Sequence, residues 1–81
     1  MKKVKKRNIR QKYVVASIIC PLFNEVDYIN TNLIKFINLI KASKKNYEII
    51  IVDNNSTDGT SQKLRELKKK NIYKYIKFIF N

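Results

Sequence analysis

Apolar, β-branched runs occupy residues 14–19, 48–52 and 72–80 of the sequence, and two stretches of helical apolar spacing separate them. The breaks between these segments are polar, and the only proline and the only glycine fall within them. Strands that alternate with helical crossovers pair in parallel through right-handed connections. The predicted fold class is therefore α/β: a β-α-β-α-β half of a doubly wound, Rossmann-like parallel sheet, with strand order 3-2-1.

Each element has its own warrant. Residues 1–12 carry seven basic groups and no acid, and are expected to form a basic flexible tail ahead of one domain over 13–81. The first run is nearly all apolar and short enough for a strand covered on both faces. Pro21 is expected to end it, because a central parallel strand needs the amide hydrogen that proline lacks. Asn24 then offers an N-cap, with Asp27 in the capping-box position. Val26, Ile29, Leu33, Phe36 or Ile37, and Ile40 recur at steps of three and four, which predicts a one-faced helix ending near Ser43.

The second run, Glu-Ile-Ile-Ile-Val, reads as another strand buried on both faces. Asp53 closes it and the polar loop 54–59 follows, with Gly59 where a turn most uses a free backbone angle. Residues 60–70 read as a second helix with Leu64 and Leu67 inward. Ser56, Thr57 and Asp58 are candidate caps at its start, and the lysines at its end suit the helix dipole. The aromatic and β-branched run 72–80 reads as the third strand.

Composition removes several chemistries. With no histidine there is no His-based triad, and one cysteine makes neither an internal disulfide nor a multi-Cys/His zinc site. A single glycine excludes both the G-x-G-x-x-G and Walker A phosphate cradles. An EF-hand reading from Asp53 fails, because Asp58 takes the turn-glycine position and Leu64 the closing-glutamate position. No secretory cleavage pattern and no membrane-spanning apolar run are visible, so a cytoplasmic chain, at most peripheral to a membrane, is expected.

In an open parallel sheet, ligands bind beyond the carboxyl ends of the strands. Residues 20–25 and 53–59 are thus expected on one rim. Asp53 there reads either as an acceptor for ribose hydroxyls or as a turn or capping acid. Glu25 and Asp27 are two apart in a first helical turn, point in different directions, and read as dipole-stabilising acids. Cys20 ends a strand without a histidine partner and reads as inert.

Two stretches carry a resemblance. V-A-S-I-I-C-P-L-F-N-E, residues 15–25, resembles the opening of the family-2 glycosyltransferases. Y-E-I-I-I-V-D-N-N-S-T-D-G-T, residues 47–60, resembles their second strand and the loop after it. The resemblance implies a GT-A fold that binds a nucleotide-diphosphate sugar and passes the sugar to an acceptor. By motif position it implies a nucleotide-binding set of Pro21, Phe23, Asn24 and Glu25 on one wall, and Asp53 and Asn54 on the other. Asn54 stands where a second acid often reads the base, which leaves the donor nucleotide open. The resemblance further implies Mg2+ or Mn2+ held by a D-x-D segment, and a carboxylate general base, both in chain beyond Asn81. The expected object is the N-terminal nucleotide-binding part of such an enzyme, a truncated GT-A domain inactive by itself.

Two other readings stand beside it. With order 3-2-1 the first strand is an edge of interior-type composition, so a non-catalytic remnant or interaction module would self-associate or pair with a second chain through residues 14–19. Alternatively, the lysine-rich flanks at 1–12 and 63–77 would bind nucleic acid or an anionic membrane surface.

Overall fold

In the computed structural model, which describes residues 14–81, the elements run β1 (Ala16–Leu22), α1 (Val26–Tyr28), π1 (Ile29–Leu33), α2 (Ile34–Ala42), β2 (Tyr47–Asp53), α3 (Thr60–Lys70) and β3 (Ile76–Phe80). The expected tail lies outside the described residues. The sheet is parallel, with β2 between β1 and β3, which is the predicted order read from its other edge. The register aligns Leu22, Asp53 and Phe80 at the carboxyl ends.

The segments α1, π1 and α2 run on as one helix. Its buried residues Ile29, Leu33 and Ile37 follow at strict steps of four. In an α-helix each such step drifts by about 40° around the axis; the wider π turn takes up part of that drift. The π turn falls on Asn30, Thr31 and Asn32, residues that compete with the backbone for hydrogen bonds, and the Thr31 hydroxyl donates to the Asp27 carbonyl at 2.9 Å.

Ile29, Leu33 and Ile37 pack with Leu64 and Leu67 of α3 against Ile49 and Ile51 of β2. Burying each such side chain contributes about 1.5–3 kcal/mol. Tyr73, expected within the third strand, instead lies before it. Its ring is buried in this core and its hydroxyl donates to the Tyr47 carbonyl.

Three expectations are corrected. The strands are covered on one face only: β1 leaves Ser17, Ile19 and Pro21 exposed, and β3 leaves Lys77 and Ile79 exposed. Both crossovers step in the same direction across the sheet, so right-handedness puts both helices on one side. Second, Pro21 lies inside β1. The Asn54 N–H donates to the Leu22 carbonyl at 2.9 Å, so Leu22 faces β2 and Pro21, its neighbour, faces the open edge, where no ladder bond is lost. That edge therefore does carry a blunting proline. Third, Asn24 is not a local N-cap; Glu25 holds that position without a side-chain cap bond.

Candidate functional site

Two loops follow β1 and β2 and meet at the carboxyl end of the sheet. Asn24 and Asn55 turn their chains in left-handed conformations, at φ 52° and 61°, which asparagine tolerates better than most residues. Gly59 does the same at φ 97°.

The loops are clasped side by side. The Asn24 N–H donates to Ser56 Oγ at 2.9 Å, and the Thr57 N–H donates back to Asn24 Oδ1 at 2.8 Å. The Glu25 N–H donates to Thr60 Oγ1 at 2.9 Å, and the Val26 N–H to Asp58 Oδ2 at 3.3 Å. The first helix is thus capped by side chains from the other loop. This explains why Asn24 is absent from that role: its carbonyl oxygen is committed to Thr57.

Two relays end on carboxylates. The Ser56 hydroxyl that accepts from Asn24 donates to Asp53 Oδ1 at 2.5 Å, and the Thr60 hydroxyl that accepts from Glu25 donates to Asp58 Oδ1. Asp58 Oδ1 also accepts from the Thr60 N–H at 3.0 Å. One carboxylate therefore bridges the N-termini of both helices, where negative charge is favoured. The hydrogen bonds from Thr60 and Val26 hold the Asp58 carboxyl below its usual range against a smaller desolvation effect.

Asp53 is 1% exposed. Its Oδ1 accepts from the Ser56 N–H and hydroxyl, and its Oδ2 from the Ser61 hydroxyl. Burial pushes its carboxyl up, but these bonds and the positive field of Arg65 together outweigh that, and its pKa is lowered. Arg65 is itself set over the Phe80 ring at 4.0 Å. Next to Asp53, the Asn54 side-chain carbonyl accepts from Asn81 Nδ2 at 2.9 Å, which leaves the Asn54 NH2 to donate outward.

Of the six residues singled out from the sequence, five are exposed at or beside this rim: Pro21, Phe23, Asn24, Glu25 and Asn54. Phe23 is the most apolar of them, with 58% of its surface exposed. The sixth, Asp53, lies beneath them. The organising roles of Ser56, Asp58, Thr60 and Ser61 go beyond the sequence reading, which treats this loop as local caps. The signal was its density of hydroxyl and carboxylate side chains opposite a second loop.

Among the described residues no three His, Cys, Asp or Glu side chains converge to hold a metal ion. Asp53 and Asp58 already give their oxygens to hydroxyl and amide donors, so the residues present provide no seat for the divalent cation that the resemblance implies. Cys20 is half-buried on the helix-covered face, where desolvation raises its thiol pKa. Among the described residues no helix is long and apolar enough to cross a membrane.

Comparison with known proteins gives two findings. The model of the family described as "Glycosyl transferase family 2" matches residues 17–81. A Methanococcus voltae protein, dolichyl N-acetyl-alpha-D-glucosaminyl phosphate 3-beta-D-2,3-diacetamido-2,3-dideoxy-beta-D-glucuronosyltransferase, is 45% identical over 65 residues. That alignment covers 80% of this chain and 20% of the relative, so the chain spans about one fifth of the relative's length. No solved structure matches.

Proposed function

Since this chain belongs to glycosyl transferase family 2, we propose that its rim holds the nucleoside end of a nucleotide-diphosphate sugar, as the N-terminal nucleotide-binding part of an enzyme that passes the sugar to an acceptor. The observation that carries this reading is the clasp. Paired bonds between Asn24 and the Ser56–Thr57 segment fix two walls side by side, with Phe23, Asn24 and Glu25 on one and Asn54 on the other.

In this reading Phe23 offers an apolar face to the base or ribose, and Asn54 offers its amide donors to a base carbonyl. Asp53 acts from below, holding the loop that presents Asn54. The Glu25, Val26 and Thr60 amides, where the two helices start, are bonded to protein oxygens, at Thr60 and Asp58. They are therefore not a ready cradle for the diphosphate, and the nucleoside supplies most of the affinity. One aromatic stack and one or two hydrogen bonds contribute about 4 kcal/mol, a dissociation constant on the order of 1 mM.

Calorimetric titration of the purified chain with UDP, GDP and dTDP tests this. Saturable binding to one of them in the millimolar range supports the reading, and silence from all three at millimolar ligand overturns it. Sugar transfer by this chain alone is expected to be undetectable, because a general base and electrostatic stabilisation of the departing diphosphate supply most of the rate.

A second reading is favoured by one observation: the outward edge of β1 is open, and Ile19 on it is 63% exposed. Pairing through that edge would make the chain an interaction module. Light scattering with amide exchange decides it: a dimer whose Ser17 and Ile19 amides exchange slowly supports pairing there, and a monomer in which they exchange rapidly rules it out.

A further inference from the structure

The strand axis separates charge. Glu25, Asp27, Asp53 and Asp58 all lie at the carboxyl end of the sheet, on or beside the rim. At the other end, α2 closes with Lys41, and the turn into β2 adds Lys44 and Lys45. The same end receives Lys68, Lys69 and Lys70 at the close of α3, and Lys74 in the turn into β3. Parallel topology forces this meeting, because each crossover helix returns the chain to where strands begin. Bonds tie these turns to their neighbours: Val15 N–H to the Asn46 carbonyl at 2.8 Å, Ile49 N–H to the Tyr75 carbonyl at 2.9 Å, and the Tyr73 hydroxyl to the Tyr47 carbonyl.

All seven lysines are exposed. The ion pairs among the described residues, Lys63 with Glu66 and Lys77 with Glu48, involve none of them. Glu48, near the amino end of β2, is held by Lys77 at 3.0 Å, and Glu66 lies 3.9 Å from Lys63, so each of these two acids is paired with a lysine outside the seven. Residues 1–12, which lie outside the described residues, hold seven basic groups in sequence.

Apolar side chains stand among these charges. Val14 is 44% exposed, Val15 66%, and Leu39, in the last turn of α2, 69%. No arginine belongs to the described part of the pole; Arg65 lies in the middle of α3, over Phe80. Exposed aliphatic groups at the same end of the fold as lysines match a lipid interface, where point charges meet headgroups and short apolar side chains enter the acyl boundary. A nucleic-acid surface favours guanidinium forks and stacking rings instead.

We propose that this lysine pole docks the chain on an anionic lipid surface, with the rim at the far end of the strands held toward water. The attraction comes from the anionic headgroups, is worth about five-fold in affinity per engaged lysine, and weakens with salt.

Vesicle flotation tests it with the full chain, comparing phosphatidylcholine vesicles with phosphatidylserine-rich ones. Retention is expected on the phosphatidylserine vesicles only, falling as salt rises. Changing Lys68, Lys69 and Lys70 to Gln should weaken it on the order of a hundred-fold. The separate pair Lys44→Gln and Lys45→Gln should weaken it about twenty-fold. Lys35→Gln, in the first turn of α2, should leave it unchanged, and Val15→Ser should weaken vesicle retention. Equal retention on both vesicle types, or pole variants that bind like the parent, would overturn the proposal. So would tighter binding to an arbitrary RNA than to phosphatidylserine vesicles at one ionic strength. Nucleotide titration is read separately, so silence there leaves this result intact.

Discussion

Replacing Asp53 by alanine removes the acceptor for three donors at once: the Ser56 N–H, the Ser56 hydroxyl and the Ser61 hydroxyl. Each donor left unsatisfied in a partly buried site costs about 1 kcal/mol, since Ser56 and Ser61 retain some access to water. The expected loss is about 2–3 kcal/mol, from a domain whose total stability is about 3–10 kcal/mol at this size. Asp53→Asn should cost about 1 kcal/mol, because the amide keeps one acceptor and a serine hydroxyl can turn to accept from its NH2. Urea unfolding followed by circular dichroism reads both. With a slope of about 1 kcal/mol per molar, the alanine midpoint should fall by about 2–3 M and the asparagine midpoint by about 1 M. An alanine variant within about 0.5 M of the parent would refute the claim that this buried carboxylate organises the loop.

The pH profile follows from the same groups. Asp53, Asp58 and Glu48 all have lowered pKa values, the last through Lys77 and Ser17. Each then contributes stability that is present above the unfolded carboxylate range near 4 and is lost as pH falls through the folded values. Burial raises the Cys20 thiol and the Tyr73 phenol above their ordinary 9.0 and 10.0. Their contribution is complete below those values and is lost as pH rises past them. Thermal melting across pH should therefore show a plateau from about 5 to 8 with both flanks falling; a midpoint that climbs below pH 4 would contradict the carboxylate assignments. Gly59→Ala should cost about 1–2 kcal/mol, entirely through its φ of 97°, because an added Cβ meets nothing within 4 Å. An unchanged urea midpoint would show that the loop does not depend on that angle.

The meeting of the two rim loops is legible in the sequence. Two apolar runs joined by an amphipathic helix leave a parallel pair as the natural arrangement, and parallel strands bring their exit loops together. Most of the core was equally legible, because Ile29, Leu33, Leu64 and Leu67 are marked by spacing, which leaves Phe36 and Ile37 as alternatives until the structure buries Ile37. What local reading misses is whatever one segment supplies to another. Asn24 has the composition of an N-cap, yet Thr57 from the far loop takes its oxygen, and Thr60 and Asp58 cap the helix instead. Pro21 looks like a strand terminator, and only knowledge of which edge its nitrogen faces shows why β1 runs on to Leu22. The π turn at residues 29–33 leaves no mark in the apolar spacing, which fits an α-helix nearly as well.

The central claim is that exposed groups of two clasped loops form one nucleoside-sized recognition surface. Residue-resolved amide NMR during a UDP, GDP or dTDP titration tests it most directly. Saturable shifts at Phe23, Asn24, Glu25 and Asn54, moving together with a single dissociation constant, are the expected outcome. Shifts confined to the turns bearing Lys44 and Lys74 while the rim amides stay still would mean that the nucleotide is merely a polyanion to this chain, and would contradict the account.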